Sequence, residues 1–449
     1  NRRLTRATDA PGGFNIAGCE IMENNTYVIE SNWKRKFLPI WGAQLFSLLG
    51  SGLVQFALVW YITQETGSAA VLATATLVAL LPDVLLAPFA GAYVDRLNRR
   101  LVMIVADSFI ALTTLSLVLL FAFDLIQIWH IFVVMFLRSI GGIFHWPAMQ
   151  ASTSLMVPDK HLSRFAGLNQ AVRGGLNIIA PPLGALLMSL LQFYQVVAVD
   201  VVTALIAIFP LFFISIPQPK RNDSAEIVTP KILLRDVGEG FTYLKRWKGM
   251  LYLALIAAFL NFLLTPTGTL MPLMVTEHFK GGVWQLSLLE SMMGIGIVAG
   301  GLTLGVWGGL KKRVHTSLLG VIGLGLGVFI FGLTPANMFW LAVVGIAFLG
   351  FMNPIANGPL HALMQSRIEP EMQGRVLGLI SSLCSMMMPL ALLIAAPVAE
   401  WVGLQVWYWA GGALVMIVGI LSFFVREVSE LENLKPSIQS AVAAAEANI

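Results

Sequence analysis

Long apolar segments recur along this chain with short breaks, and they constrain its fold more than any other feature. Each segment is long enough to cross the hydrocarbon core of a bilayer as a helix of about 20 residues. The segments cover residues 37–63, 70–94, 101–123, 128–155, 164–190, 194–216, 250–275, 284–309, 315–334, 337–364, 374–400 and 405–425. Because lipid offers no partner to an open backbone, the sequence predicts an all-α integral membrane protein with twelve transmembrane helices.

The composition excludes several classes of protein. The chain is 57% hydrophobic and only 12% charged, whereas soluble domains carry about 25% charged residues. The two cysteines, Cys19 and Cys384, are too few for a disulfide framework, and neither belongs to a metal-binding pattern. No phosphate-binding loop and no nucleophile–base pair stands out. We therefore expect no enzymatic activity, no cofactor and no metal site.

A polar segment divides the twelve apolar segments into two groups of six and suggests five regions. We expect a disordered tail over 1–33, a six-helix bundle over 34–216, a cytoplasmic linker over 217–249, a second six-helix bundle over 250–426, and a cytoplasmic tail over 427–449. Within the linker, residues 231–248 have the pattern of a basic amphipathic helix that lies on the inner leaflet.

The distribution of basic residues predicts the orientation in the membrane. With the N-terminus in the cytoplasm, 25 of the 28 Lys and Arg residues fall in cytoplasmic segments, and Lys280 alone falls outside. Arg138 and Arg173 lie within apolar segments. Cytoplasmic loops of membrane proteins carry an excess of positive charge, so both termini are predicted to be cytoplasmic. The basic pI then reflects loops beside lipid, and we expect no nucleic-acid binding.

The two halves of the chain resemble each other at an offset of about 212 residues. The matching positions are Phe136, Pro147 and Pro158 in the first half, and Phe348, Pro359 and Pro370 in the second. Two six-helix units in the same orientation imply a pseudo-two-fold axis along the membrane normal. This arrangement predicts a substrate cavity between the halves and suits alternating access.

The segment Gly91–Arg100 resembles the signature that the major facilitator superfamily carries between its second and third helices. Asn98 stands where that family usually has glycine. Three further stretches, residues 67–69, 136–141 and 145–148, resemble the macrolide-efflux branch, to which enterobactin exporters are similar. The resemblance extends over residues 34–426 and implies the major facilitator fold.

The resemblance also implies a role for the 91–100 segment as a cytoplasmic gating motif, formed by Gly91, Asp95, Arg96, Arg99 and Arg100. Glycine permits close helix packing, and a carboxylate is favoured near a helix N-terminus or an arginine. We expect Asp95 to latch the cytoplasmic side of the outward-open state.

The fifth segment matches the antiporter motif of the superfamily only in part. Gly167, Pro181 and Gly184 fit a helix-packing motif, whereas Leu176, Ala180 and Ala185 replace glycines. Export stays the expectation, but this departure weakens the case for proton antiport.

Ionisable residues within the apolar segments are costly and call for a partner or a role. Asp83, Arg138 and Glu290 are the candidates for proton transfer or functional ion pairs. Asp107 and Asp200 are interpreted as structural, and Arg173 is left without a role.

Uncharged polar and aromatic residues near mid-membrane are candidates for the substrate cavity. They are Gln55, Phe56, His145, Asn261, Phe262 and Asn353. A mostly apolar cavity with a few polar groups suits a large amphipathic ligand. His145 is also placed to tune a proton relay, although a lone histidine in a membrane more often hydrogen-bonds a neighbour.

Together these features and the resemblance imply a secondary exporter in the bacterial cytoplasmic membrane. We expect it to expel a bulky amphipathic compound, such as a macrolide antibiotic, by alternating access and proton antiport. Its expected partners are the small-molecule substrate, protons and the lipid bilayer, and it is expected to be a monomer. Three alternatives stay open: an exporter of a siderophore or another metabolite, a nutrient facilitator with a more polar cavity, and a membrane partner of a separate ATPase.

Overall fold

The structure is a computed structural model that describes residues 33–94, 97–218, 238, 241–245, 247–368, 370–429 and 431–432. Twelve of its helices are long and apolar enough to span a membrane, which confirms the predicted number. They are α1 (Trp33–Thr66), α2 (Ala69–Val94), α3 (Arg99–Ala122), α4 (Ile128–Met156), α5 (Asp159–Leu190), α6 (Phe193–Phe213), α7 (Lys248–Thr269), α8 (Val283–Trp307), α9 (Arg313–Leu333), α10 (Phe339–Arg367), α11 (Pro370–Val402) and α12 (Leu404–Phe424).

Short polar breaks separate the helices and end them. Asn98 caps α3, because its side chain accepts a hydrogen bond from the backbone N–H of Leu101 at 3.3 Å. Asparagine is among the residues that favour this position, where it satisfies a free backbone donor. After α7, the chain continues through the short helix Met271–Leu273 and a π-helical turn over Met274–His278 before α8 begins.

The helices form two six-helix bundles with the same pattern of neighbours. In the first bundle, α1 packs on α5 and α6, α2 packs on α4, and α3 packs on α4 and α6. In the second, α7 packs on α11 and α12, α8 on α10, and α9 on α10 and α12. Each pair in one bundle thus has a counterpart six helices later, as expected for a pseudo-two-fold repeat.

Most of the contact between the bundles comes from two helix pairs, α2 with α11 and α5 with α8. In the second pair, the Ser291 hydroxyl of α8 donates to the backbone carbonyl of Ile178 in α5 at 2.9 Å. Gly294, one turn further along α8, lies so close to Ile178 that a Cβ would meet its side chain at 2.7 Å. Small residues therefore let the bundles approach closely along this seam.

The end of the molecule that carries Lys34, Arg99 and Lys311 is called the basic end here. At the other end, one hydrophobic core runs through both bundles. At the basic end, each bundle has its own core, one around Phe37 and Met103 and the other around Met250 and Val376. Among the described residues, buried hydrophobic packing therefore joins the bundles only away from the basic end.

Most of the predicted tails and most of the predicted linker lie outside the described residues. Among the described residues of the linker, Tyr243, Leu244 and Trp247 are buried shortly before α7. They pack in the same core as Met250 and Val428. These side chains face the second bundle, whereas the sequence predicted that the helix over 231–248 would lie on lipid.

Candidate functional site

A cavity of about 370 Å³ lies in the second bundle, between α7, α10 and α11. Leucine, isoleucine, methionine and alanine form most of its wall, and the polar residues of the wall are Asn261, Asn357, His361, Ser381 and Cys384. Its volume lies within the range of about 300–1,000 Å³ that small-molecule sites occupy. Apolar walls with a few polar groups are typical of a site for a bulky amphipathic ligand.

Another cavity, of about 390 Å³, lies between α3 and α4 of the first bundle. Apart from Asn98 its walls are apolar, and Leu101 and Val105 on its rim are each 58% exposed. Exposed leucine and valine on a membrane helix are typical of a surface that lipid covers. The cavity in the second bundle is therefore the better candidate for binding a substrate.

Of the predicted cavity residues in the second half, the structure places Asn261 in the wall of this cavity. Its side-chain amide donates to the carbonyl of Ala257 at 2.9 Å. Phe262 is half-buried and packs with Trp407, with ring centroids 6.3 Å apart. Asn353 is half-buried one turn before Asn357, whose amide donates to the Asn353 backbone carbonyl at 3.1 Å.

The predicted cavity residues of α1 point in two directions. The Gln55 side chain is exposed, whereas Phe56 is buried against α5. A Cβ on Gly184 would come within 2.7 Å of the Phe56 ring. Phe56 is thus a helix-packing residue here, because the absence of a side chain at Gly184 lets the ring fill the seam between α1 and α5.

The helix-packing residues predicted in α5 differ in their surroundings. Pro181 and Gly184 are buried within the first bundle, and Gly167 is exposed nearer the basic end. The structure therefore brings Gly184 and Phe56 together, two residues that the sequence assigned to separate roles.

Arg138 of α4 forms an ion pair with Asp200 of α6 deep in the first bundle. Asp200 is fully buried and also accepts hydrogen bonds from Ser51 of α1 at 2.9 Å and Thr114 of α3 at 3.0 Å. Arg138 donates to the same Thr114 hydroxyl. Four helices thus converge on one carboxylate, whose charge and hydrogen-bonding capacity are both matched.

His145 lies in the first bundle beside Asp107 of α3, away from the cavity in the second bundle. Its Nε2 is 3.3 Å from the Asp107 carboxylate, although no hydrogen bond to Nε2 forms among the described residues. The other carboxylate oxygen accepts a hydrogen bond from the Gln44 amide of α1 at 3.0 Å. The sequence placed His145 in the substrate cavity; the structure places it in a buried polar cluster of three helices.

The other two predicted charges have no ion-pair or hydrogen-bond partner within the part of the chain that the structure describes. Glu290 is half-buried in α8, directly before Ser291 at the seam with α5. Asp83 is exposed on α2. The three predicted charge candidates, Asp83, Arg138 and Glu290, are therefore not brought together.

The predicted gating motif is described only in part. Asp95 and Arg96 lie outside the described residues, and of Gly91 only its place within α2 is described. Arg100 donates to the carbonyl oxygens of Leu211 and Phe212 at the end of α6, the latter at 2.7 Å. Arg100 thereby satisfies carbonyls that a helix C-terminus leaves free.

Arg99 is 8% exposed, and its guanidinium lies 3.5 Å from the carbonyl oxygen of Ala151 in α4. Both described arginines of the motif thus connect the start of α3 to neighbouring helices of the first bundle.

The partners of several polar residues in these sites were not predicted from the sequence. Asp200 and Asp107 were interpreted as structural without a partner, and the Arg173 guanidinium stacks on Trp146 at 3.5 Å from the ring centroid. The signal that could have revealed the partners is spacing: polar residues lie seven apart on α1, α3 and α4. In a straight helix that spacing repeats one face after about two turns.

Comparison with known proteins agrees with this architecture. The sequence profile of the Major Facilitator Superfamily matches residues 40–391. The chain is 34% identical to macrolide efflux protein A of Streptococcus pyogenes over 402 residues, which cover 90% of this chain and 98% of that protein. It is 27% identical to the multidrug efflux pump Tap of Mycolicibacterium fortuitum, over 90% of this chain and 98% of Tap.

Among solved structures, a mutant of the nucleoside transporter NupG has the same fold. The two superpose with a TM-score of 0.70 at 14% identity, covering 87% of this chain and 98% of that one. The profile match covers most of the chain, and the relatives match it nearly from end to end. This chain therefore belongs to the Major Facilitator Superfamily.

Proposed function

We propose that this protein is a secondary exporter that expels a bulky amphipathic drug, of the macrolide class, from a bacterial cell. The observation that carries this proposal is the 34% identity to macrolide efflux protein A, which extends over 98% of that relative. Similarity to the multidrug efflux pump Tap supports export over uptake. Membership of a transporter superfamily supports a non-enzymatic role.

The cavity in the second bundle supports an amphipathic substrate. Asn261, Asn357 and His361 offer hydrogen bonds within walls that are otherwise mostly apolar. A macrolide combines an apolar lactone ring with hydroxyl and sugar groups. The apolar residues of the cavity wall could contact the ring, and its polar residues could hydrogen-bond the hydroxyl and sugar groups. Gln55, exposed on α1, is a candidate contact from the first bundle.

The basic end is proposed to face the cytoplasm, with both termini on that side of the bacterial inner membrane. This orientation rests on the distribution of 25 basic residues inside against one outside. With it, the end at which the bundles have separate cores faces the cytoplasm, where an exporter must collect its substrate. The chain is proposed to act as a monomer.

Alternating access requires that each end of the molecule close in turn. At the end away from the basic end, Glu400 of α11 accepts hydrogen bonds from the Ser68 hydroxyl and the Ala70 N–H of α2, both at 3.3 Å. A carboxylate at a helix N-terminus is favourably placed. We propose that this contact, called here the Glu400 latch, holds the outer side closed.

At the basic end, the predicted gating motif lies at the end of α2, the helix that also contacts Glu400 at the opposite end. We propose that Gly91, Asp95 and Arg96 form the cytoplasmic latch when the outer side opens, while Arg99 and Arg100 anchor α3 beside it. Asp95, the residue directly after α2 in the sequence, and Glu400 of α11 would then be the acidic latch residues of the cytoplasmic and outer sides.

The proton gradient is proposed to drive export, since the sequence contains no phosphate-binding loop with which to use ATP. Arg138, Glu290 and Asp83 are the intramembrane charges that the sequence offers for this coupling. An acid that is exposed alternately to the two sides can exchange a proton for the substrate.

The proposal is tested by expressing the chain in a macrolide-sensitive bacterium that lacks its own efflux pumps. We expect a severalfold rise in the inhibitory concentration of erythromycin and lower accumulation of the labelled drug in the cells. A protonophore should restore accumulation if the gradient drives export. Unchanged susceptibility across a panel of macrolides and other amphipathic drugs would contradict the proposal.

The same experiment separates the alternatives. Transport by the purified protein alone in vesicles would exclude an obligate ATPase partner. Export of a siderophore but of no drug would identify the metabolite exporter, and uptake of a polar nutrient without a gradient would identify the facilitator.

A further inference from the structure

Polar side chains inside the first bundle form two layers that repeat along three helices. Each layer takes one residue from α1, α3 and α4, and equivalent residues are seven apart on each helix, or about 10 Å along its axis. The near layer, closer to the basic end, consists of Gln44, Asp107 and His145. The far layer consists of Ser51, Thr114, Arg138 and Asp200.

The far layer is complete. Its single carboxylate, Asp200, is paired with Arg138 and accepts two hydroxyl hydrogen bonds, from Ser51 and Thr114. Protonating Asp200 would break an ion pair and leave a buried guanidinium uncompensated, which is strongly unfavourable. The far layer is therefore a poor place for a proton to bind and leave.

The near layer is incomplete. Asp107 is 3% exposed and receives one amide hydrogen bond, from Gln44. The Gln44 carbonyl oxygen and His145 Nε2 are buried without a hydrogen-bond partner among the described residues. Buried polar atoms without a hydrogen-bond partner are costly, so the near layer, unlike the far layer, has room for a further polar interaction.

One proton changes this balance. When the His145 imidazole accepts a proton, the imidazolium and the Asp107 carboxylate, 3.3 Å apart, form an ion pair with no net charge. When the proton leaves, a carboxylate and a neutral imidazole stay behind with a net negative charge. Histidine is the side chain whose ordinary chemistry makes both states accessible at physiological pH.

Several charged side chains lie on the helices around the Asp107–His145 pair. Two turns away on the same two helices lie Arg138 and Arg100, both engaged elsewhere. From α5, Arg173 stacks on Trp146, the residue next to His145. Other ionisable groups that the structure describes on helices of the first bundle include Asp200 of α6, Arg99 at the start of α3 and the exposed Asp83 of α2.

The path to the other bundle runs through α5, which contacts α8 along the seam. Arg173 of α5 stacks on Trp146 of α4, the residue that follows His145. A shift of α5 against α4 would therefore move the Arg173 cation relative to the Asp107–His145 pair. A change in the position of the bundles can thus change how firmly the pair holds its proton.

We propose that the Asp107–His145 pair is the site that takes up and releases the transported proton, while the Arg138–Asp200 pair keeps its charges throughout. This inference rests on the proposed function as a proton-driven exporter, and it assigns the carrier to a pair other than Asp83 or Glu290.

The test uses the purified full chain in lipid vesicles with labelled erythromycin as the probe. Two activities are measured: accumulation driven by an imposed pH gradient, and exchange of the drug across the membrane without a gradient. Because erythromycin is a weak base that collects in acidic vesicles by itself, protein-free vesicles supply the background. His145→Gln and Asp107→Asn should lose gradient-driven accumulation by about tenfold or more while keeping exchange within about twofold.

The matched control is His315→Gln, which removes a partly buried histidine from α9 of the second bundle, where it contacts Phe423. This variant should keep both activities. Size-exclusion profiles in detergent check that each variant is folded, and if one of the pair variants does not fold, the other decides the result.

Gradient-driven accumulation by either pair variant at the wild-type level would overturn the inference. If both variants lose exchange as well as accumulation, or if neither variant folds, the pair has a structural role. Either result would also overturn the inference. A wild-type protein that exchanges the drug but ignores the pH gradient would refute proton coupling itself, and the carrier with it.

Discussion

At the scale of single residues, the fully buried carboxylate of Asp200 shows how the first bundle accommodates charge in a membrane. Its partners come from α1, α3 and α4, between 62 and 149 residues away in the chain. A lone buried charge would be expensive, whereas this one has a guanidinium and two hydroxyl donors. The structure thus gives Asp200 and Arg138 a shared role that neither has alone in the sequence.

We predict that removal of one member of this pair destabilises the protein more than removal of both. Arg138→Met leaves the Asp200 carboxylate buried without its cation, which costs about 3–5 kcal/mol. The melting temperature of the purified variant in detergent should fall clearly below that of the wild type. Arg138→Met combined with Asp200→Asn should recover most of the loss, because no buried charge is then left unpaired. Equal melting temperatures for the single variant and the wild type would contradict the prediction.

At the scale of helices, glycines decide how closely α8 and α10 approach. A Cβ on Gly300 would lie 1.9 Å from the carbonyl oxygen of Phe351, and one on Gly350 would lie 2.2 Å from that of Met293. Backbone atoms cannot yield to such contacts as a flexible side chain can. Close backbone approach at small residues is a main source of helix association in membranes.

We predict opposite outcomes for valine at two adjacent glycines of α8. Gly300→Val forces α8 away from α10 and should destabilise the protein by about 1–3 kcal/mol or more, as overpacking does. Gly301→Val is the matched control, because a Cβ there meets nothing within 4 Å. Yield after purification and melting temperature measure both variants. Similar losses in the two would show that the α8–α10 contact is looser than described.

The predicted helix bounds follow the apolar segments and miss the polar turns beyond them. The sequence placed the start of the fifth span at residue 164, whereas α5 begins at Asp159. Hydropathy marks the part of a helix that lipid surrounds, but the backbone hydrogen bonds continue for another turn into the loop region.

At the scale of the whole molecule, the bundles share one core away from the basic end and have separate cores at it. The Glu400 latch, which we propose holds this end closed, joins the last turn of α11 to the start of α2. This contact is exposed, so it contributes little to the stability of the protein. We expect it to bias the equilibrium between the open and closed forms of this end without determining the fold.

We predict that Glu400→Gln increases the open population of that end by about two- to fivefold, because the amide lacks the charge that interacts with the α2 terminus. Spin labels on cysteines placed at Trp129 and Trp340, both exposed at this end on different bundles, report the distance distribution. The distribution should gain longer distances in the variant.

Glu277→Gln is the control for the latch. Glu277 belongs to the same end and pairs only locally with Lys280, three residues along the chain, at 3.7 Å. This variant should leave the distance distribution unchanged. If Glu400→Gln also leaves it unchanged, the latch does not hold the outer side closed.

The sequence by itself was sufficient for the number of helices, their approximate bounds, the division into two bundles and the superfamily. These features depend on local quantities: the length of apolar segments, the polar breaks between them, and motifs of adjacent residues. The internal offset of about 212 residues also required only comparison of the chain with itself. The structure and the comparisons confirmed the twelve helices and the family.

The tertiary structure alone decided which faces of these helices meet. In a nearly all-apolar helix the polar side does not reveal its partner, because lipid and protein neighbours are similarly apolar. Hence Phe56 and His145 were cavity candidates, whereas Phe56 packs on Gly184 and His145 lies beside Asp107, in keeping with the neighbour contact also considered for this histidine. Ion pairs such as Arg138–Asp200 join residues far apart in the chain, so only the packing of the bundle could bring them together.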